Sequence, residues 1–582
     1  MDFNQEYLRW FNAISEQDKL ELSAIQNDEK EKAERFSMPL AFGTAGMRGI
    51  IGIGTYRMNV YTVKRATLGL AKFLQDLGAN ECKKGVVISY DTRIMSYEFA
   101  LAAARVLSNN KINVYMFENV RPVPFCSFAV GHLKAAAGIM ITASHNPKEY
   151  NGYKVYGADG AQMSPENTKK VVEYIEACDY FGIEEDDITI KERQEIMSLD
   201  GEKISDYITI IGKSVDEAYY STISTLMLSK EAVKNQNKSL RIVYTPIHGT
   251  GYIPVTTMLT RMGIPYDLVE EQKSPDGNFP TVTLPNPENP DALALGIRLA
   301  NNIGADVVIG TDPDADRMGV AIRNNDGDFV LLTGNQTGAL LADYILRRHT
   351  EIGDLPKNAA IVKTIVTTSL AKKIAESYGA ACFDVLTGFK FIGEKINTWA
   401  VNHEHTFMFG YEESYGYLAG THAKDKDAIV SATLFAEMVC YYKDIGVSLY
   451  NRLQELYKAH GYYVEKSKAT TFPGLDGMRI MAEKMDNLGK TKIDKFQDFE
   501  VDYTMNLNNS TKSYSDGRVE KVDLPKSNVY YYALKSGDWV CARPSGTEPK
   551  LKVYVSCMGK DLAEAENKAT ILIKALQEKL TA

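Results

Sequence analysis

The sequence predicts an α/β fold of three similar domains with parallel-type mixed sheets and a smaller α+β C-terminal domain, the four arranged around a central cleft. Three stretches of the chain repeat one order of apolar strand, helix and strand, and each ends in a polar loop. The last quarter lacks this order. Apolar strands bounded by Gly, Pro and Asp that alternate with helices are typical of parallel sheets. At ~150 residues per domain, the 582 residues favour about four domains.

Each of the three α/β stretches leads into its own polar loop. The loop 142–147 follows these predicted elements: 85–90, 99–107 (helix), 113–117 and 136–141. The loop 311–317 follows these: 240–244, 254–262 (helix), 266–269, 291–302 (helix) and 305–309. The loop 410–416 follows these: 360–366, 369–378 (helix), 381–386 and 405–409. Because ligands bind beyond the carboxyl ends of parallel strands, we expect all three loops to lie at functional sites.

The last quarter predicts an antiparallel α+β unit. Strands 530–534 and 539–542 flank a Ser-Gly-Asp turn and form a hairpin. A polar loop, 543–550, then leads into the strand 551–555 and the amphipathic helix 562–580. The chain is thereby divided into four predicted domains, one for each polar loop: 1–205, 206–322, 323–450 and 451–582.

Composition and charge exclude several classes of protein. The chain has 66 Lys and Arg against 75 Asp and Glu, and this net charge of −9 argues against a protein that coats nucleic acid. The longest nearly apolar run, 428–442, contains a glutamate and is shorter than the ~20 residues that cross a bilayer. Seven scattered cysteines without a C-x-x-C pair argue against disulfides and a zinc site. The N-terminus lacks the pattern of a signal peptide, so we expect a cytoplasmic protein without nucleic-acid or membrane partners.

Three aspartates that alternate along one loop are the candidate metal ligands. Asp312, Asp314 and Asp316 follow a predicted strand, and alternate side chains of an extended segment point the same way. Carboxylates that converge in this way suit a hard cation such as Mg²⁺, and a solvated acidic turn is the alternative. A calcium-binding EF-hand loop is excluded because Arg317 and Arg323 hold its glycine and glutamate positions. The guanidinium of Arg317 would suit phosphate.

A serine directly after a buried strand is the candidate nucleophile. Ser144 lies in the loop 142–147, next to His145 and ten residues before Lys154. A serine that carries a phosphoryl group close to a bound Mg²⁺ would be a coherent phosphoryl donor. For the serine alone, a turn-forming hydroxyl is the alternative.

Other loops carry polar residues of less specific meaning. The loop 543–550 supplies a guanidinium, two hydroxyls and a flexible backbone that suit a phosphate dianion, from Arg543, Ser545, Gly546 and Thr547. The loop 43–49 is a second such loop, with Arg48 as its charged donor, and for each of the two loops an ordinary turn is the alternative. Glu412 and Glu413 could accept hydrogen bonds from vicinal sugar hydroxyls.

Three further polar residues are interpreted without a direct role in chemistry. His248 follows a strand, and we interpret it as a residue that stabilises its loop. Lys424 and Lys426 lie in a Lys-Asp-Lys-Asp run, and we expect them to be solvated or to steer phosphate rather than to react.

In this order along the chain, the loops resemble the signatures of the α-D-phosphohexomutase superfamily. The loops 142–147, 311–317, 410–416 and 543–550 match its four signatures, and 43–49 is similar to its N-terminal glycine-arginine loop. The resemblance extends over essentially the whole chain. The Asp-Pro-Asp-Ala-Asp-Arg metal loop and the tyrosine before the glutamate pair look like the branch that contains phosphoglucomutase 2 and phosphopentomutase.

The resemblance implies a mutase that moves a phosphoryl group within a sugar phosphate. Ser144 would be a phosphoserine, and one Mg²⁺ per chain would be held by its phosphate together with Asp312, Asp314 and Asp316. Glucose 1,6-bisphosphate would be both the intermediate and the activator. The sugar hydroxyls and phosphate would be bound by Glu412, Ser414, Arg317, Arg543, Ser545, Gly546 and Thr547. Proton transfer would fall to Arg48, Lys154, Lys390 or His145.

The resemblance implies phosphoglucomutase activity first and phosphopentomutase activity as the nearest alternative, because one branch contains both. Phosphomannomutase, glucose-1,6-bisphosphate synthase and a sugar phosphatase are more remote alternatives. A non-catalytic sugar-phosphate sensor is disfavoured, since Ser144 and the three aspartates are all present. The expected partners are small sugar phosphates, and the expected state is a monomer or a weak dimer.

Overall fold

The computed structural model describes residues 2–43, 46–188, 199–472, 476–544 and 550–581. The described chain divides into two compact units. The first unit consists of Met1–Thr333, Ile392–Gly410 and Ser414–Gly446. The second unit consists of Gly334–Phe391, Tyr411–Glu413 and Val447–Ala582. The domain boundaries near residues 205, 322 and 450 stay predictions.

The first sheet follows an N-terminal helical segment made of Phe3–Ala13, Glu16–Ala24 and Glu29–Phe36. Its strands are β1 (Met47–Ile50), β2 (Val86–Tyr90), β3 (Val114–Phe117), β4 (Ala137–Ile141), β5 (Tyr150–Gly157) and β6 (Ile208–Ile211). They lie in the order β1-β5-β4-β2-β3-β6, and β5 runs antiparallel to both of its neighbours. The accompanying helices are Val60–Leu77, Ala79–Lys84, Ser96–Asn109, Val123–Leu133 and Pro165–Glu176. Every residue of β2 and β4 is buried, as in parallel strands covered on both faces.

The second sheet repeats this plan. Its strands are β7 (Ile242–Thr245), β8 (Tyr266–Leu268), β9 (Val307–Thr311), β10 (Met318–Arg323) and β11 (Phe329–Leu331). They lie in the order β11-β10-β9-β7-β8, with β7 parallel to β8 and β9, and with β10 antiparallel to β9. The accompanying helices are Lys213–Thr225, Lys230–Gln236, Tyr252–Met262, Glu270–Lys273 and Pro290–Ile303.

The third sheet contains β12 (Ala359–Thr364), β13 (Ala381–Val385), β14 (Thr406–Glu412) and β15 (Gly416–Ala419), in the order β13-β12-β14-β15. The helices of this part are Gly334–Ile352, Leu370–Ser377, Phe389–Asn402, Ala428–Asp444 and Leu449–His460. The strand predicted for 405–409 continues to Glu412, so the first residues of the predicted loop 410–416 are strand. Every residue from Phe407 to Glu412 is buried, as in a strand that is covered on both faces.

The C-terminal part is an antiparallel sheet with helices on one face. Its strands are β16 (Tyr462–Thr471), β17 (Lys495–Phe496), β18 (Phe499–Asn506), β19 (Thr511–Tyr514), β20 (Val519–Lys521), β21 (Tyr530–Leu534), β22 (Trp539–Pro544) and β23 (Lys550–Gly559). They lie in the order β16-β23-β22-β21-β18-β19-β20, with β17 beside β18. The helices are Gly477–Lys490 and Leu562–Thr581. The predicted fold class, α/β sheets followed by an α+β unit, is confirmed.

The three polar loops of the α/β part occupy the same place in their sheets. Each joins a strand to its neighbour in the same sheet: β4 to β5, β9 to β10, and β14 to β15. Each also contains a non-glycine residue in the left-handed region, with φ of 53° at Ser144, 46° at Ala315 and 68° at Tyr415. Such residues are uncommon and cluster at functional sites.

Two of the expectations from composition concern features that the structure describes. Among the described residues, no helix is both long and apolar enough to span a membrane. The seven cysteines are free thiols in this structure.

Candidate active site

The candidate nucleophile Ser144 lies three residues beyond β4 and is 3% exposed. Its Oγ is 2.9 Å from Oδ2 of Asp312 and 3.1 Å from Nδ1 of His145. Its backbone N–H donates to the Thr142 hydroxyl oxygen at 2.8 Å, which helps to hold the left-handed turn. The structure therefore brings the serine loop of the first sheet against the aspartate loop of the second.

The three aspartates of the loop after β9 are all buried. Asp312 and Asp314 are 0% exposed and Asp316 is 2% exposed. Oxygen atoms of the three carboxylates lie within 4.8 Å of one another. The loop folds back on itself because Oδ1 of Asp312 accepts the N–H of Asp316 at 3.1 Å and that of Arg317 at 3.0 Å. This turn makes the alternating side chains converge.

A neighbouring loop supports the aspartate loop from behind. The carbonyl oxygen of Pro313 accepts the N–H and the hydroxyl of Thr250, at 2.8 and 2.9 Å. A Cβ on Gly249 would lie 2.5 Å from Cα of Pro313, so this close approach requires glycine. Nε2 of His248 lies 2.9 Å from the Thr281 hydroxyl, and burial lowers the pKa of His248. The interpretation of His248 as a loop-stabilising residue agrees with these contacts.

The donor set of the aspartate cluster fits a divalent cation. Oδ1 of Asp314 and Oδ1 of Asp316 are buried and accept no hydrogen bond from the residues that the structure describes. Burial, together with the charges of Asp314 and Asp316, raises the pKa of Asp312 well above its usual range. A bound cation would relieve this shortage of positive charge, and oxygen ligands suit a hard ion.

Two buried lysines flank the cluster. Nζ of Lys154, on β5, is 3.0 Å from Oδ2 of Asp314 and 3.6 Å from Oδ2 of Asp316. Nζ of Lys426 is 3.1 Å from Oδ2 of Asp316 and 3.0 Å from Oδ1 of Asp425. Burial disfavours the charged form of Lys154, but Asp314 and Asp316 outweigh it and raise its pKa. The two carboxylates therefore favour the charged form of Lys154.

The expectation that Lys426 is solvated is wrong, since it is only 7% exposed. Its neighbours fix it in place. Oδ2 of Asp425 accepts the Tyr156 hydroxyl at 2.9 Å, and Asp427 caps the buried helix Ala428–Asp444. An aspartate directly before a long apolar run is an N-cap pattern, and this signal could have placed Lys426 at the start of a buried helix.

Three other predicted site residues belong to the first unit. Arg48 is exposed on β1 and donates to Oδ1 of Asn146 at 2.9 Å. The guanidinium of Arg317 is partly buried, with Nε 3.8 Å from Oδ1 of Asp316. Ser414 is partly buried, one residue before the left-handed Tyr415.

The remaining predicted residues belong to the second unit. Glu412 is 5% exposed, and its Oε1 accepts the N–H of Gly388 at 2.8 Å. Nη1 of Arg543 donates to the Tyr554 hydroxyl oxygen at 3.5 Å. Lys390 lies in the first turn of its helix and is partly buried. The rest of the predicted phosphate loop lies outside the described residues: Ser545, Gly546 and Thr547.

Models of the phosphoglucomutase/phosphomannomutase family match the chain in three consecutive parts. The α/β/α domain I of this family matches residues 39–180, domain II matches 217–327 and domain III matches 333–460. Ser144 falls in the first part, the three aspartates in the second and Glu412 in the third.

Known proteins are similar over nearly the whole chain. A phosphoglucomutase of Staphylococcus saprophyticus is 35% identical over 560 residues, which are 95% of this chain and 97% of that protein. One of Staphylococcus epidermidis is 37% identical over 557 residues, 94% of this chain and 96% of its own.

Solved structures agree on the fold. A phosphoglucomutase/phosphomannomutase family protein of Burkholderia thailandensis superimposes with a TM-score of 0.66 at 17% identity, over 92% of this chain and 97% of that one. The open form of pp63/parafusin (phosphoglucomutase) of Paramecium has a TM-score of 0.66 at 18% identity, over 93% of this chain and 94% of that one. The chain therefore belongs to the phosphoglucomutase/phosphomannomutase family, within the α-D-phosphohexomutase superfamily.

Proposed function

We propose that the protein is a phosphoglucomutase, an intramolecular phosphotransferase that interconverts α-D-glucose 1-phosphate and glucose 6-phosphate. The 2.9 Å contact between Oγ of Ser144 and Asp312, within a cluster of three buried carboxylates, carries the proposal. It puts a hydroxyl nucleophile beside a site for a cation, as phosphoryl transfer requires. The membership of the family and the relatives named phosphoglucomutase support the same assignment.

The proposed cation is one Mg²⁺ per chain. The residues that would hold it are Asp312, Asp314 and Asp316, together with a phosphate on Ser144. When bound, it would offset the negative charge of the phosphoryl group in transfer. The buried Oδ1 atoms of Asp314 and Asp316, which accept no hydrogen bond from the described residues, and the purely oxygen donor set support this choice. Glucose 1,6-bisphosphate is the proposed intermediate and the activator that phosphorylates Ser144.

The residues around Ser144 have distinct proposed tasks. Asp312 and the Nδ1 of His145 are within hydrogen-bond reach of the Ser144 hydroxyl and orient it. Lys154 and Lys426 are placed to donate hydrogen bonds or a proton to oxygen atoms near the cluster. Because its pKa is raised, Lys154 suits the role of general acid better than that of general base in this state. Arg48 and Lys390 stay candidates for proton transfer by resemblance.

The remaining predicted residues would bind the substrate. Glu412 and Ser414 are proposed to bind sugar hydroxyls in both orientations of the intermediate. The phosphate that does not react is proposed to be bound by Arg317, Arg543, Ser545, Gly546 and Thr547. The substrates are thus small sugar phosphates, and a clamp remote from the reacting group would hold them in a reactive geometry.

The preferred sugar is the finer part of the proposal. Tyr411, the residue that departs from many relatives, is 0% exposed, and its ring packs against Gly338. A Cβ on Gly338 would lie 2.1 Å from this ring, so a side chain there would displace it. The tyrosine is therefore accommodated by the helix Gly334–Ile352, and its ring packs into the interior of its own unit. The departure at Tyr411 therefore gives no reason to move away from a hexose, the substrate class that the relatives named phosphoglucomutase support.

The deciding experiment compares kcat/KM for glucose 1-phosphate and for ribose 1-phosphate, with Mg²⁺ and catalytic glucose 1,6-bisphosphate present. We expect a ratio well above one. A ratio well below one would move the assignment to phosphopentomutase and leave the Ser144 chemistry intact. Mannose 1-phosphate in the same assay tests the phosphomannomutase alternative. Stoichiometric release of inorganic phosphate would instead indicate a sugar phosphatase, and net accumulation of bisphosphate would indicate a bisphosphate synthase.

Replacing Lys426 by methionine is expected to lower kcat by about 10²-fold to 10⁴-fold, the usual range for a positioned proton-transfer group. The reason is that Lys426 places an ammonium 3.1 Å from Asp316, inside the cluster. The matched control is Lys424→Met, because the ammonium of Lys424 donates to the carbonyl of Thr421 in its own loop. Steady-state kinetics of both variants, with unfolding temperatures alongside, measure the effect. Equal losses in the two variants would refute a special role for Lys426.

A further inference from the structure

Arg93 is a buried arginine whose guanidinium donates hydrogen bonds to several backbone carbonyls of the segment that contains Ser144. It follows β2, and it is 3% exposed. Its terminal nitrogens donate to carbonyl oxygens of a single segment at 2.5–3.0 Å: those of Ser144, Asn146, Pro147 and Tyr150. The carbonyl of Pro147 also accepts the N–H of Tyr150 at 3.0 Å. The planar fork of an arginine is suited to joining several carbonyls of one loop in this way.

Asp91 holds the arginine and the other side of the same turn. Its Oδ2 is 3.3 Å from Nε of Arg93, and its Oδ1 accepts the backbone N–H of Arg93 at 2.9 Å. The hydroxyl of Thr142 lies 2.7 Å from Asp91 and 3.1 Å from Oδ2 of Asp314. The same hydroxyl oxygen accepts the N–H of Ser144. Arg93 therefore binds the carbonyl of Ser144 directly, and Asp91 is linked to the N–H of Ser144 through the Thr142 hydroxyl.

The surroundings keep the guanidinium in one position. Cζ of Arg93 lies 5.0 Å from the centre of the Phe279 ring. A Cβ on Gly277 would lie 2.5 Å from the backbone nitrogen of Ile94, so two loops meet there backbone to backbone. A cavity of about 470 Å³, lined by residues 91–95, 97 and 98, lies beside the arginine. The Arg93 side chain is itself fully buried, so a small cation could take its place only after the side chain is removed, from this neighbouring cavity.

We propose that Arg93 is a positioning residue for phosphoryl transfer, which fixes the left-handed turn so that Oγ of Ser144 faces the aspartate cluster. Arg93 does not touch the reacting atoms. It acts through four hydrogen bonds to backbone carbonyl oxygens, which hold the segment that contains Ser144 with its unfavourable φ. An error of about 1 Å in the position of a reacting group can lower the rate by 10²-fold. The inference rests on the proposed function, since it concerns how Ser144 is presented.

The test is Arg93→Ala, assayed well below its unfolding temperature with and without millimolar guanidinium chloride. We expect kcat to fall on the order of 10²-fold with KM nearly unchanged, and phosphorylation of Ser144 by glucose 1,6-bisphosphate, followed by intact mass, to slow in parallel. Added guanidinium should fill the vacated space and restore part of the rate. Arg93→Lys keeps the charge but not the planar guanidinium, so its kcat should lie between those of the wild type and Arg93→Ala. This variant stays informative if the alanine variant does not fold.

Arg57→Ala is the matched control. Arg57 is also buried, at 4% exposed, but it pairs with Glu34 of the N-terminal helices. The Arg57→Ala variant should be less stable than the wild type, but its kcat should be unchanged and should not respond to added guanidinium. Wild-type kcat in Arg93→Ala, a loss confined to KM, or equal losses in Arg57→Ala would overturn the inference. Failure of the wild-type protein to become phosphorylated would instead count against the proposed function, so the two failures are distinguishable.

Discussion

Ser144→Ala is expected to lower kcat for glucose 1-phosphate by at least ~10³-fold, because the covalent route requires the hydroxyl. The fold should tolerate the change, since it removes a single oxygen that contacts Asp312 and His145. KM should change little, because the groups proposed to bind sugar and phosphate are untouched. The measurement is steady-state kinetics, combined with intact mass after exposure to glucose 1,6-bisphosphate. The variant should gain no phosphoryl group.

A matched control separates the loss of this hydroxyl from the loss of any buried serine. Ser431 is 2% exposed in the helix Ala428–Asp444, and its hydroxyl donates to the carbonyl of Asp427. Ser431→Ala should therefore keep near-normal kcat and phosphorylation. Mutase turnover close to that of the wild type in Ser144→Ala would end the proposed mechanism, whatever the control shows.

Asp314→Asn is expected to weaken Mg²⁺ binding and to lower kcat by about 10²-fold or more at saturating substrate. The change keeps the shape of the side chain but removes one of three buried carboxylates, and it leaves Lys154 without its partner at 3.0 Å. A ligand that binds only the folded protein raises its stability. Mg²⁺ should therefore raise the unfolding temperature of the wild type and much less that of the variant.

The control for this change is an exposed aspartate outside the cluster. Asp326 lies in the turn between β10 and β11 and is exposed. Asp326→Asn should show the wild-type dependence of both kcat and unfolding temperature on Mg²⁺. If Asp314→Asn also kept that dependence, the three aspartates would not be the metal site. If Asp314→Asn lost the thermal effect of Mg²⁺ but kept its kcat, the metal would be needed for stability alone.

Much of this arrangement was predictable because its signals are local. The apolar runs that become β4 and β9 are fully buried, and the polar loops that follow them are short and adjacent in sequence. Rules for parallel sheets place such loops at the carboxyl ends of strands. The meeting of Ser144 with Asp312, 168 residues away, could be anticipated only from the resemblance to a family, since spacing does not specify which loops of different sheets touch.

The elements that the sequence did not predict have weaker signals. β16 is an edge strand whose last five residues, 467–471, are exposed, so its pattern resembles a polar loop. The helix Gly477–Lys490 did carry a signal, since Met481, Met485 and Leu488 are spaced for one buried face. Lys426 is buried beside Asp316, and its neighbour Asp425 accepts a hydrogen bond from Tyr156; both partners are distant in sequence.

The φ of +53° at Ser144 also restricts which hydroxyl amino acid can serve as the nucleophile. A β-branched side chain is a steric outlier in this region of backbone space, because its second γ atom crowds the carbonyl groups on either side. Threonine would bring the same hydroxyl group but would push the turn toward negative φ and away from Asp312. In this protein the choice of serine over threonine is thus a demand of the main chain as much as of the chemistry.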